Sequence, residues 1–186
     1  MISVEGGRVR RLTTEASNEW RPSWSKDGRW IYFASDRTGD PQIWKMPAQG
    51  GAAVQVTKRG GNDAIESVDG DFVYYAKSGT FGTWRTPVAG GEETQILDQG
   101  WAGGWALTSQ GICFRVPPPD NGSSGPAIKF YAFDTHQVTT IRQFSREVRM
   151  MNSSNMPLSI SPDGRWILYA KMDHAGSDLM LVENFR

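Results

Sequence analysis

The chain has one cysteine, two histidines and no long apolar run, and each scarcity removes a class of function. Cys113 has no second thiol to pair with, so no internal disulfide forms. Set between Ile112 and Phe114 in a strand-like run, it reads as a small buried hydrophobe rather than a nucleophile. His136 and His174 both fall at turns, and neither has a second His or Cys at ligand spacing, so no metal site is expected. No glycine-rich phosphate motif precedes a helix. Gly122-Ser123-Ser124-Gly125 lies in a proline-rich loop and does not match the Gly-x-Ser-x-Gly nucleophile elbow. These gaps predict no catalytic residues, no cofactor and no enzyme. Twenty basic residues balance 20 acidic ones, which argues against nucleic-acid binding. No segment approaches the roughly 20 apolar residues of a membrane helix. The opening MISVEGGRVRRL lacks the apolar centre of a signal peptide. Nothing in the chain predicts membrane insertion, and the compartment, periplasmic or cytoplasmic, depends on sequence outside it.

Eight Trp, eight Phe and five Tyr stand beside 21 Gly and 10 Pro, a composition of aromatic-rich strands cut often by turns. The turn Asp27-Gly28 returns as Asp69-Gly70, Gln110-Gly111 and Asp163-Gly164, at intervals of 42, 41 and 53 residues. Aligned on the glycine, the columns agree in chemistry. Three residues before it stand Ser25, Ser67, Thr108 and Ser161, hydroxyls able to bond the backbone exposed by a turn. Three after it stand Ile31, Val73, Phe114 and Ile167, and five after it Phe33, Tyr75, Val116 and Tyr169, which read as core. Trp44-Lys45-Met46-Pro47 with Gly50-Gly51 is answered by Trp84-Arg85-Thr86-Pro87 with Gly90-Gly91. Each unit holds four short strands. In the first these are expected at Pro22 to Ser25, Arg29 to Ser35, Gln42 to Pro47 and Val54 to Thr57. Four strands in about 40 to 45 residues make one blade of a β-propeller.

The segments SKDGRWIYFASDRTGDPQIWKMPAQGG and SPDGRWILYA resemble the TolB-type, WD-repeat-like propeller repeat, and the resemblance extends over most of residues 8 to 186. It is weakest in the third unit, where Gln110 replaces Asp, Cys113 replaces Trp, and Pro117-Pro118-Pro119 ends the second strand. The expectation is an all-β propeller of about four four-stranded blades in an incomplete ring. Residues 1–13 would end a preceding blade, and 14–57, 58–97 and 98–142, the last with its proline-rich loop, would be blades. Residues 143–186 would be a last blade without its outer strand. Val9 to Thr13 is a candidate for that missing strand. Ile2 to Val4 already reads as a third strand, however, so ring closure would supply that strand twice. The preferred reading is therefore the C-terminal portion of a larger propeller, whose open blade edges invite self-association. The resemblance implies a binding, scaffold or sensor module for a protein, peptide or small ligand, as in the C-terminal part of a winged-helix regulator. The alternatives it implies are a substrate-gating propeller of a prolyl-oligopeptidase-type serine hydrolase, or a TolB-like periplasmic transport component.

Asp27, Asp36, Asp69 and Asp163 lie in tight turns, where Asp serves the backbone rather than calcium. Trp44 and Trp84 recur in register and read as blade packing. Glu66 puts a carboxylate in the column of Trp24, Leu107 and Ile160, to face the axial channel or to pair with a neighbour such as an Arg. Trp20, Trp101 and Trp105 lie at the connections entering the innermost strands, which in propellers gather on one face. Trp20, Arg21, Glu66, Trp101, Trp105, Arg146, Arg149 and Asn155 are thus the candidate partner-binding residues. The plainer reading is that these aromatics plug the axis.

Overall fold

A computed structural model describes residues 1–2, 4–100, 103–148, 158–173 and 176–183. The first sheet comprises β1 (Glu19–Trp24), β2 (Trp30–Ser35), β3 (Gln42–Pro47) and β4 (Val54–Gln55). The second comprises β5 (Asn62–Glu66), β6 (Phe72–Ala76), β7 (Thr83–Pro87) and β8 (Thr94–Leu97). β9 (Trp105–Leu107), β10 (Gly111–Val116), β11 (Ala127–Ala132) and β12 (Val138–Gln143) make the third. β13 (Ser159–Ile160), β14 (Trp166–Asp173) and β15 (Gly176–Glu183) make the fourth. Every sheet is an antiparallel meander in chain order, and no helix occurs among the described residues. This is the expected all-β propeller architecture.

The second strand of each sheet shows why its sequence is apolar on both faces. Tyr32 and Ala34 of β2 pack with Ala64, Val73 and Tyr75 of the second sheet. Ile31 and Phe33 point the other way, onto Met46, Ala48 and Leu12. In β6, Val73 and Tyr75 face back to the first sheet, and Tyr74 faces forward onto Trp105, Ile112 and Phe114. In β10, Cys113 faces forward onto Leu158, Ile167 and Tyr169 of the fourth sheet. A strand sandwiched between neighbouring sheets buries both faces, and alternation disappears from its sequence. Leu168 of β14, in the forward-facing column, is 44% exposed. Among the described residues no hydrophobic cluster joins the first and fourth sheets, as an incomplete ring requires.

The recurrent turn is built as its side chains suggest. Ser25 Oγ donates to Asp27 Oδ1 at 2.7 Å and accepts from Trp30 N at 2.8 Å, while Arg29 N donates to the same Asp27 oxygen. Ser67 with Asp69 and Ser161 with Asp163 repeat the arrangement. In the third sheet Thr108 Oγ1 alone accepts from Gln110 N and Gly111 N. These bonds favour the ionised carboxylates. Ser25 is the largest influence holding Asp27 down, from an ordinary 3.8 to about 2.

Several boundaries differ from the sequence reading. Among the described residues, Ile2, Val4 and Val9 to Thr13 belong to none of these strands. Met1 and Arg10 instead exchange backbone hydrogen bonds, and Leu12 packs under the first sheet. β4 stops at Gln55 because Thr57 turns inward, where its Oγ1 accepts from Ile43 N and donates to Gln42 Oε1, both at 2.9 Å. β1 begins earlier than expected, and the register with β2 shifts between Trp20 and Ser23. Pro22 has no N–H to give a ladder, and Arg21 before it takes a φ of 53°.

Candidate functional site

The innermost strands of the first two sheets touch through residues that occupy the same column of successive repeats. Trp20 Nε1 donates to Asn62 Oδ1 at 2.9 Å. Arg21 forms an ion pair with Asp63, both side chains about a fifth exposed. Ser23 Oγ donates to the Ala64 carbonyl at 2.6 Å. Arg21 and Asp63 are both non-glycine residues in the left-handed region, φ 53° and 60°, each beside a break in its strand's register. Such backbone costs on the order of 1–3 kcal/mol per residue and persists only where surrounding structure enforces it.

Glu66 lies deeper in the same seam. It is 4% exposed, accepts from Tyr32 Oη at 2.7 Å and accepts from Lys26 N at 3.0 Å. Its described partners are thus a tyrosine hydroxyl and a backbone amide, where the sequence left open the axial channel or a neighbour such as an Arg. Burial raises the Tyr32 pKa, and the adjoining Glu66 carboxylate raises it further. Trp20 is half-buried against the core of this seam. Trp105 is 5% exposed and packs with Tyr74 and Phe114 between the second and third sheets. Arg146 is exposed, and its Nη2 donates to the Ser123 carbonyl at 3.1 Å, tying it to the proline-rich loop. Trp101, Arg149 and Asn155 lie outside the described residues. Among the described residues no cluster of three metal-ligating side chains occurs. Cys113 is fully buried, and desolvation pushes its thiol up to about 12.

Two features escaped the sequence reading. Arg37 stacks over Trp44 at 4.7 Å and Lys77 over Trp84 at 3.7 Å, so the recurrent tryptophans carry cations as well as packing the blades. Arg115 occupies the column of Tyr32 and Tyr74 and is 2% exposed, with no hydrogen-bond partner among the described residues for its buried Nε and Nη2. Desolvation lowers its pKa. A charged residue inside the apolar run ICFRV was the visible signal. Further out, a cleft of about 490 Å³ opens between the second and third sheets, lined by Phe72, Tyr74, Arg85, Tyr131 and Phe133 and by the turns at Ser67–Asp69 and Thr108–Ser109.

Sheets stacked in chain order, each joined to the next through its second strand, define an arc of a β-propeller. Residues 1–103 match the family described as PD40, TolB beta propeller domain, and the chain belongs to that family. The TolB protein of the Tol-Pal system of Bordetella pertussis is 41% identical over 54 residues, 28% of this chain and 12% of that protein. The crystal structure of TolB from Acinetobacter baumannii superposes on 91% of this chain and 41% of its own, with a TM-score of 0.72 at 19% identity. A puromycin hydrolase structure superposes on 91% of this chain and 28% of its own, with a TM-score of 0.62 at 16% identity. These likenesses at low identity are likenesses of fold. The chain spans less than a fifth of the length of the curated relatives it matches. No helix among the described residues is long and apolar enough to cross a membrane.

Proposed function

We propose that this chain is a non-enzymatic recognition module, binding a protein or peptide at the face where the innermost strands begin. The observation that carries the reading is the Arg21–Asp63 ion pair. Two left-handed residues in the same repeat column hold opposite charges at the mouth of the first seam, and the Trp20–Asn62 bond fixes the segments beside them. Strained backbone kept at such a position is characteristic of sites whose geometry is preorganised for a ligand. Arg146, exposed and tied to the proline-rich loop, is proposed to extend the surface. The units 14–57, 58–97, 98–142 and 143–186 are its blades.

The test is partner capture by the immobilised full chain, with identification of the bound protein and measurement of its affinity. Arg21→Ala combined with Arg146→Ala is expected to abolish capture while circular dichroism shows the sheets retained, the melting temperature falling by the loss of the Arg21–Asp63 pair but staying well above the assay temperature. Undiminished affinity in the folded double variant would exclude this face. A second reading, a propeller that gates substrate to a hydrolase domain, is favoured by the likeness of fold to puromycin hydrolase. A hydrolase domain in the full reading frame would select it.

A further inference from the structure

The first seam contains a polar clasp that the second repeats only in half. In the first, Tyr32 Oη and Lys26 N both donate to the buried Glu66 carboxylate. One repeat later the same columns hold Tyr74, Val68 and Leu107. The donors are kept and the acceptor is replaced by an alkyl side chain. Tyr74 is 3% exposed, and its hydroxyl proton has no acceptor among the described residues. The Val68 N–H likewise donates to none of them. Arg85 is added to this pair. Its guanidinium lies 4.2 Å over the Phe72 ring and reaches Tyr74 Oη with a long contact of 3.4 Å. It forms no ion pair at contact distance among the described residues, though its charge is near enough to Asp69 to help hold that carboxyl below its ordinary range. Tyr74, Val68 and Arg85 all line the 490 Å³ cleft between the second and third sheets.

We infer that this cleft is a binding site for a monocarboxylate carried on an aromatic or apolar body. The carboxylate lies in the cleft beside Leu107, which stands in the Glu66 column, and accepts from Tyr74 Oη–H, Val68 N–H and the Arg85 guanidinium. Ionised acceptors make the stronger hydrogen bonds, and the buried Tyr74 hydroxyl is costly to leave without an acceptor, while Val68, 54% exposed, offers its N–H from the open side of the cleft. The body of the ligand lies against Phe72, Phe133 and Tyr131; Phe133 already stacks on Tyr74 and meets Tyr131 edge to face. The volume is within the range of small-molecule sites. Asp69 narrows the class. Its carboxylate stands exposed at the rim, with Oδ1 taken by Ser67 Oγ and Asp71 N, and it repels a dianion such as a phosphate monoester more than a single carboxylate. The site is separate from the proposed partner-binding face, so either can fail alone. A free organic acid and the C-terminal carboxylate of a peptide share this chemistry.

The full chain is titrated with N-acetylphenylalanine and with N-acetylphenylalaninamide, by calorimetry and by amide NMR. The acid is expected to bind with a saturable shift of the Val68 amide resonance, and the neutral amide about tenfold more weakly or worse. A tetrapeptide ending in a free phenylalanine identifies the source: tighter binding than the acetylated amino acid points to a peptide terminus, and equal or weaker binding to a free acid. Leu107→Glu restores the internal acceptor and is expected to abolish binding of the acid without lowering the melting temperature. Should that variant fold poorly, Tyr74→Phe keeps the ring and is expected to weaken the acid about tenfold. Equal binding of acid and amide, no saturable binding of the acid up to its solubility, or a folded Tyr74→Phe variant with unchanged affinity would each overturn the inference.

Discussion

Lys77 Nζ sits 3.7 Å from the centre of the Trp84 indole and 3.4 Å from Glu93 Oε2, so one cation is held by a ring face and a carboxylate together. Arg37 does the same in the first sheet, over Trp44 and 3.2 Å from Glu19. Lys77 follows directly on β6, whereas Arg37 lies one residue further past the end of β2. Two different sequence positions thus deliver a charge to equivalent tryptophans. Lys77→Met keeps the stem over the ring and removes the charge. It is expected to cost about 1–3 kcal/mol in urea unfolding, because Glu93 is then left with fewer partners in a buried setting. A neutral result would reduce the contact to packing.

Arg115 gives the opposite expectation. Its buried Nε and Nη2 have no partners among the described residues, and the column that supplies Glu66 to the first seam supplies Ile160 here. Arg115→Met fills similar volume without a desolvated charge, and it is expected to stabilise the chain by about 1–3 kcal/mol. A fall in the urea midpoint would show that the guanidinium is satisfied by another group.

Gly82 and Gly79 share a positive φ but not their surroundings. A Cβ on Gly82 would lie 2.0 Å from the Leu97 carbonyl oxygen, whereas one on Gly79 meets nothing within 4 Å. Gly79→Ala is expected to cost about 1–2 kcal/mol, the left-handed penalty alone. Gly82→Ala additionally forces β7 and β8 apart and is expected to cost about 3 kcal/mol or more. Thermal melts of the two variants separate backbone conformation from steric exclusion.

Acid should destabilise the protein in a defined window. Glu93 is 8% exposed. Burial raises its pKa, but Lys58 N–H, Tyr75 Oη–H and Lys77 outweigh that and hold it below the ordinary 4.5. Asp27, Asp69 and Asp163 are lowered chiefly by their turn serines. The folded carboxylates titrate below their unfolded values, so the unfolded chain takes up protons first, and stability present above those values is lost as pH falls through the folded ones. The melting temperature should be nearly flat from neutral pH to about 5 and fall most steeply between about 4 and 2. Glu93→Gln should lower it at neutral pH and flatten the acid limb. An acid limb identical to the wild type would remove Glu93 from the account.

Much of the fold was legible because the glycine turns recur and the core columns flank them. Ser25, Ser67, Thr108 and Ser161 do in space what their alignment suggests. The site was less legible because periodicity says that Tyr32, Tyr74 and Arg115 lie in one column without saying which residue of the next blade each one meets. Glu66 stood out as a carboxylate among apolar residues, but its partner Tyr32 is 34 residues away in the preceding unit. The opening residues show a further limit: Gly6-Gly7 before Leu12-Thr13 repeats the spacing at a blade's end, but that spacing does not say that Leu12 packs under the first sheet.

The unequal seams also fix an order of events under denaturing stress. The first two sheets are fastened by Glu66, by Arg21 with Asp63 and by Trp20 with Asn62, whereas the second and third meet through rings and alkyl groups over an open cleft. Adjacent units in a stacked array part where their coupling is weakest. Amides of β1, β2, β5 and β6 should therefore exchange with solvent as a single group, and the boundary at Tyr74 should be the line along which the array first divides.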